Sequence, residues 1–212
     1  MGLFLSMEGP DGSGKTLQMD LLQKELQVAG YPVLRTREPG GTQIGERIRD
    51  LLLDPECREM DAMTEALLYA ASRAQHVRQT IRPALERGEI VLCDRYVDSS
   101  LIYQGIGRGL GVGQIAAINE YATGGLQPDM TIVLQIGYEE GLKRKNRQYD
   151  GCLDRMERQA DEFHRRVHDG FSSLVQLDPG RVRMIDGGRT PQEVHILIME
   201  ALKPLLNRVQ PR

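Results

Sequence analysis

Tryptophan is absent from this 212-residue chain, phenylalanine occurs three times and aromatics make up only 5% of it, so its interior has to come mainly from aliphatic side chains. Cysteine is equally scarce. Cys57, Cys93 and Cys152 are odd in number and lack C-x-x-C spacing, which argues against a disulfide framework or a zinc cluster and fits a reducing cytosol. No excess of charge exists either: 27 Lys and Arg against 30 Asp and Glu leave a net charge of −3, and hence no general attraction to nucleic acid. No apolar run approaches the length that crosses a bilayer, and the first residues carry no basic stretch of the kind that opens a signal peptide. Gly-, Pro- or Ser-rich linkers and internal repeats are also missing, so a single domain spanning 1–212 is expected, with nucleic acid and membrane excluded as partners.

What is present is alternation. Short apolar runs bounded by turn residues at 3–7, 32–36, 90–93, 131–136 and 181–185 predict buried strands. Helical spacing fills 16–29, 43–53, 60–87, 114–123, 138–177 and 191–207. Strands that alternate with helices of this length imply an α/β fold, a five-stranded parallel sheet with helices on both faces. Two stretches break the pattern. Gly105, Gly107, Gly109, Gly111 and Gly113 predict a turning loop. Over 143–158, Lys143, Arg144, Lys145, Arg147, Arg155 and Arg158 face Asp150, Asp154 and Glu157, which in isolation reads as a solvated helix face.

Gly9, Pro10, Asp11, Gly12, Ser13, Gly14, Lys15 and Thr16 match G-x-x-x-x-G-K-[ST] directly after a predicted strand and at the start of a predicted helix. The glycines let backbone N–H groups turn inward onto phosphate oxygens, and the helix N-terminus adds its positive end. Lys15 then reaches the β and γ phosphates of a nucleoside triphosphate and the Thr16 hydroxyl meets Mg²⁺. An N-K-x-D base-reading motif is absent, which disfavours a GTPase switch. Asp94 and Arg95 follow the strand at 90–93, placing a carboxylate suited to Mg²⁺ and a charged fork at the strand's carboxyl end, beside the phosphate loop.

At this point the chain resembles the thymidylate kinases, the P-loop family that phosphorylates dTMP to dTDP. The resemblance runs through Arg37, Glu38, Pro39, Gly40, Gly41 and Thr42 (R-E-P-G-G-T), the stretch Leu68, Tyr69, Ala70, Ala71, Ser72, Arg73, Ala74 and Gln75, the Asp94-Arg95-Tyr96 triplet, and Asp154, Arg155, Met156 and Glu157 (D-R-x-E). It implies a P-loop NTPase fold with a short lid over about 141–157, ATP as co-substrate, Mg²⁺ as cofactor, a cytoplasmic location and a homodimer. Arg37 and Arg95 are implied at the dTMP phosphate, Glu38 among the substrate-binding residues, Tyr69 on the thymine face, Arg73, Ser100 and Gln104 at the thymine edge, and Tyr103 where a ribose 2′-OH would sit. Asp11 is implied at the dTMP sugar or the metal. Arg189, after the last strand, is expected near adenine.

One departure matters. Gly12 stands where one group of thymidylate kinases has a basic residue, so the chain is similar to the second group, whose lid supplies the catalytic arginines. These are expected to be Arg144 and Arg147, with Arg147 the larger contributor and Gly151 a hinge of the flap. His164 and His168 share a helix face but lack a third ligand, so no metal site is expected there. Two alternatives stay open: a kinase of another nucleoside monophosphate or a deoxynucleoside, and a nucleotide-dependent switch protein.

Overall fold

The computed structural model describes residues 2–148 and 153–211; Tyr149, Asp150, Gly151 and Cys152, and with them the expected hinge, lie outside the described residues. The chain runs β1 (Leu3–Glu8), α1 (Lys15–Val28), β2 (Val33–Arg37), α2 (Gln43–Leu53), α3 (Ala62–His76), α4 (Arg82–Glu86), β3 (Ile90–Asp94), α5 (Val97–Ser100), α6 (Val112–Thr123), β4 (Met130–Gln135), α7 (Tyr138–Gln148), α8 (Asp161–Leu177), β5 (Val182–Asp186) and α9 (Pro191–Leu206). The five strands are all parallel, in the order β2-β3-β1-β4-β5. Every residue of central β1 is buried, because helices cover both faces of a parallel sheet.

Period-two alternation sorts the strand side chains into two cores. Leu3, Leu5 and Met7 meet Met19, Leu22 and Leu26 of α1 and Ile198 and Leu202 of α9. On the opposite face Phe4, Val91 and Cys93 pack with Val77, Ile81 and Tyr96, while Val133 meets Phe163, Val167 and Phe171 of α8. Burying a Leu, Ile or Phe side chain is worth roughly 1.5–3 kcal/mol, so this two-sided layer holds the carboxyl ends of β1, β3 and β4 at one edge.

Three expectations change. The segment 60–87 is not one helix: α3 passes into a π-helical turn at Val77–Ile81 before α4, immediately ahead of Pro83, whose ring and missing N–H oppose an unbroken ladder. The segment 138–177 is two helices, and the turn between them is capped reciprocally, Asp154 N donating to Glu157 Oε2 (3.0 Å) and Glu157 N to Asp154 Oδ1 (2.8 Å). Gly105 and Gly107 are not loop glycines but lie in a π-helical stretch, Leu101–Gly107. They serve close packing: a Cβ on Gly107 would stand 2.8 Å from the Phe163 ring, so a side chain there would push α8 away.

Candidate active site

Because all strands point the same way, the turns after β1 and β3 open into one cleft of about 680 Å³. The loop after β1 bends through left-handed glycines, Gly12 at φ 78° and Gly14 at φ 94°, and feeds into α1 at Lys15. Lys15 is nearly buried, with Nζ donating to the carbonyls of Gly9 and Pro10, both at 2.9 Å. Burial, with Arg95 nearby, lowers its pKa to about 8. Thr16 is exposed at the loop's open side. Asp94 ends β3 beside the loop, and its Oδ1 is buried without a hydrogen-bond partner among the described residues. An orphaned carboxylate oxygen next to a phosphate loop suits a divalent cation.

Arg95 is the only non-glycine residue with positive φ among the described residues, at 66°. That turn brings its guanidinium back over the cleft. Nη1 donates to Gly9 O (3.1 Å) and Ser99 Oγ (3.2 Å), Nη2 donates to Asp11 Oδ1 (2.7 Å), and the group lies 5.2 Å from the Tyr103 ring centroid. Burial opposes the charge on Asp11, but Arg95, Lys15 and Lys145 outweigh it and hold the carboxyl well below its usual range. The phosphate loop and the arginine after β3 therefore share one carboxylate.

The other expected residues divide between the cleft wall and its support. Tyr69, Tyr103, Ser100, Gln104, Arg73 and Glu38 all line the cleft. Burial raises the Tyr69 phenol to about 12, and also raises that of Tyr103, so both stay neutral donors. Arg73 is 2% exposed and committed on every side: to Glu38 Oε2 (2.6 Å), Ser100 Oγ (3.0 Å), Tyr96 O (3.0 Å) and Asn119 Oδ1. Gln104 donates to Glu65 Oε1 at 3.0 Å, which fixes its amide. Arg37 stands at the mouth, 47% exposed and paired bidentately with Glu46 of α2 at 3.1 and 2.9 Å, and is not part of the cleft wall.

On α7, Arg144 lines the cleft, held by Glu140 (3.0 Å) and by Gly187 O (3.0 Å) after β5, and Arg189 lines it too. Arg147 is exposed on α7 and not part of the cleft wall. Lys145, a member of the charge run with no separate role expected, reaches Asp11 Oδ2 (3.5 Å) and Glu157 Oε1 (3.3 Å). Its signal lay in the charge run at 143–158, but only the fold shows which member of that run faces inward. Arg49 of α2, also unforeseen, lines the opposite wall and donates to Pro39 O at 3.0 Å. Arg155 of the D-R-x-E motif is itself buried, tied to Glu65 (2.7 Å) and to Leu52 O (2.7 Å). Helix α7 approaches the loop closely because both sides are glycine: a Cβ on Gly12 would stand 2.2 Å from Gly141 O. His164 and His168 bond to the carbonyls of Glu157 and Ile136. Among the described residues the one metal-capable cluster, Glu38, His76 and Cys93, is buried, and Arg73 and Thr36 hold Glu38 and His76.

Comparison with known proteins agrees over nearly the whole length. The family described as "Thymidylate kinase" matches residues 7–198. The chain is 48% identical to a thymidylate kinase of Exiguobacterium sibiricum over 212 residues, covering 100% of this chain and 97% of that one. It is 43% identical to a thymidylate kinase of Bacillus pumilus over 209 residues, covering 99% of each. Among solved structures, the thymidylate kinase of Ehrlichia chaffeensis superposes with a TM-score of 0.75 at 32% identity, covering 95% of this chain and 98% of that one.

Proposed function

The chain belongs to the thymidylate kinase family and phosphorylates dTMP to dTDP, and from that premise we propose how its cleft does so, with ATP as the donor. The observation that carries the assignment is the Asp11–Arg95 pair, which ties the phosphate loop to the arginine assigned to the acceptor, because phosphorylating a nucleoside monophosphate brings two phosphate-bearing molecules end to end. The backbone amides of 9–16 and Lys15 bind the donor phosphates, and Arg189 lies toward its base. Arg95 presents a planar fork to the acceptor phosphate, with Arg49 on the facing wall and Arg37 outside the wall, paired with Glu46. Tyr69 offers its ring to thymine, Gln104 and the Arg73–Ser100 pair meet the base edge, and Tyr103 occupies the space a ribose 2′-OH would need. Glu38 serves this wall by holding Arg73.

Thr16 and Asp94 would hold Mg²⁺, whose chemistry is to neutralise the donor phosphates and draw them into line. Gly12 leaves the loop with no cation besides Lys15, so the remaining charge that develops on the transferring group falls to the lid. Arg144 is placed for that task and Lys145 supports it, with Arg147 secondary. Replacing Asp94 by Asn tests the metal assignment: we expect the Mg²⁺ concentration for half-maximal rate to rise about tenfold with KM for dTMP unchanged, whereas an unaltered Mg²⁺ response removes Asp94 from the site.

We further assign a second copy of the chain to the exposed apolar side chains Ile44 and Leu51 of α2 and Leu67 of α3, two helices packed side by side. Equilibrium sedimentation checks this, a monomer contradicting it. The free thiols Cys57 and Cys93 favour the cytoplasm. No helix among the described residues is long and apolar enough to cross a membrane.

A further inference from the structure

Glu8, the last residue of β1, has no part in the chemistry above and yet is a fully buried carboxylate one residue ahead of the phosphate loop. Its oxygens are in use on both sides. Oε1 accepts from Ser6 Oγ (3.0 Å) and from the backbone N–H of Tyr96 (2.7 Å), and Oε2 accepts from Ser99 Oγ (2.5 Å). Tyr96 N–H belongs to the peptide that follows Arg95, so Glu8 holds the exit of the left-handed turn. Ser99 Oγ is also the atom that accepts from Arg95 Nη1.

A serine hydroxyl has one proton, an ionised carboxylate only accepts and a guanidinium only donates. Ser99 must therefore give its proton to Glu8 and turn a lone pair to Arg95. We propose that Glu8 is a positioning residue for the acceptor phosphate: its charge fixes the direction of the Ser99 hydroxyl and the Arg95 turn, and thereby aims the Arg95 guanidinium. The inference rests on the assignment of Arg95 to the dTMP phosphate. A neutral side chain at position 8 breaks the relay. If the amide of a Gln faces Ser99, it donates there and sends the serine proton toward Arg95; if it faces Tyr96, it sets donor against a buried N–H.

The surroundings make the charge sensitive to pH. Burial and the neighbouring Asp98 of α5 raise Glu8 to about 7, against Arg95, Ser99 and the Tyr96 amide. Lys15 of α1 and Cys93 of β3 are further titratable groups near it among the described residues, with Tyr103 farther along the cleft. Asp98 is itself paired with Arg181 at 2.7 Å. The ionised form positions Arg95, so positioning is nearly complete at pH 8, half present near pH 7 and lost as pH falls below it.

Glu8→Gln, Ser99→Ala and the double variant test this by steady-state kinetics with each substrate varied, beside Arg95→Lys. At pH 8 we expect Glu8→Gln to raise KM for dTMP roughly 10- to 100-fold, the effect of losing a hydrogen bond to a buried charged group, with KM for ATP changed less than about twofold. Ser99→Ala should raise KM for dTMP in the same direction, and the double variant should add little to Glu8→Gln, because both act through one relay. The ratio of variant to wild-type KM for dTMP should shrink toward one at pH 6, where wild-type Glu8 is protonated; the acceptor phosphate's own ionisation affects both enzymes equally and cancels. An unchanged KM for dTMP in Glu8→Gln at pH 8, or an equal rise in both KM values, overturns the proposal. If Glu8→Gln does not fold, an unchanged KM for dTMP in Ser99→Ala overturns it. If Arg95→Lys leaves KM for dTMP unaltered, it is the assignment of Arg95 that fails.

Discussion

Gly12→Ala is the smallest change that interferes with the lid. The added Cβ would stand 2.2 Å from the carbonyl oxygen of Gly141, a backbone atom that can move only with α7. Restoring ordinary contact displaces that helix by about 1 Å, and α7 carries Arg144 and Lys145; misplacing catalytic groups by that much costs about 10²-fold in rate. The φ of 78° adds strain of about 1–2 kcal/mol, which lowers the melting temperature by roughly 2–8 °C in a chain of this size. Initial-rate assays with both substrates varied should thus show kcat down about 100-fold and KM for dTMP within about twofold, since Arg95, Tyr69 and Tyr103 are not on α7. Gly109→Ala separates strain from contact: its φ is 74° but its Cβ would meet nothing within 4 Å, so the melting temperature should fall while kcat holds. Gly12→Arg, which restores a cation to the loop, should be as slow as Gly12→Ala. If Gly12→Ala keeps kcat within about threefold of wild type, closure of α7 on the loop is not needed for transfer and the reasoning fails.

Arg144→Ala should lower kcat by about 10³-fold or more with KM for dTMP nearly unchanged, and Arg147→Ala should cost less; equal, near-wild-type rates in both would return the charge run to a solvated face. Arg73→Met leaves buried Glu38 without its guanidinium, so we expect a loss of about 3–5 kcal/mol and a fall in melting temperature of roughly 6–20 °C, partly restored by adding Glu38→Gln; a shift under about 2 °C would contradict the buried pairing. Lys15 is lowered to about 8 and donor phosphates must raise it again, so at pH 8.5 to 9 ATP binding should take up close to one proton, seen as a calorimetric enthalpy that depends on the buffer. No uptake there would mean that Lys15 does not meet the donor.

Much of the sheet was legible because its signals are local. The five strands lie within one or two residues of the apolar runs; burial on both faces forces continuous hydrophobic stretches in β1, β3 and β4, while the edge strands β2 and β5, expected to be buried, are half-buried or carry exposed positions. The phosphate loop was legible for the same reason, its φ > 0 positions being written as Gly12 and Gly14. What the sequence left undecided depends on long-range geometry. Arg144, Lys145 and Arg147 look equivalent in a charge run, and only the docking of α7 on Gly12 separates them. Gly105 and Gly107 read as loop because their reason, the closeness of Val112 and Phe163, lies in other elements. Arg49 and Glu8 sit outside any phosphate-binding pattern, and their roles come from which wall they reach and whom they bond.

The account stands most directly on one measurement: ATP consumption coupled to product formation, run across dTMP, dUMP, dCMP, dGMP and the ribonucleotide of thymine. Because Glu65 fixes Gln104 and Arg73 holds Ser100, a base that does not match the polar groups Gln104 and Ser100 turn to the cleft is penalised, by up to ~10⁴-fold in kcat/KM when those groups are fully desolvated. Tyr103 should exclude the ribonucleotide. The predicted result is dTMP far ahead of dCMP and dGMP, with ATP consumed only when an acceptor is present. Equal turnover of dTMP, dCMP and dGMP, or ATP hydrolysis indifferent to the acceptor, would contradict it.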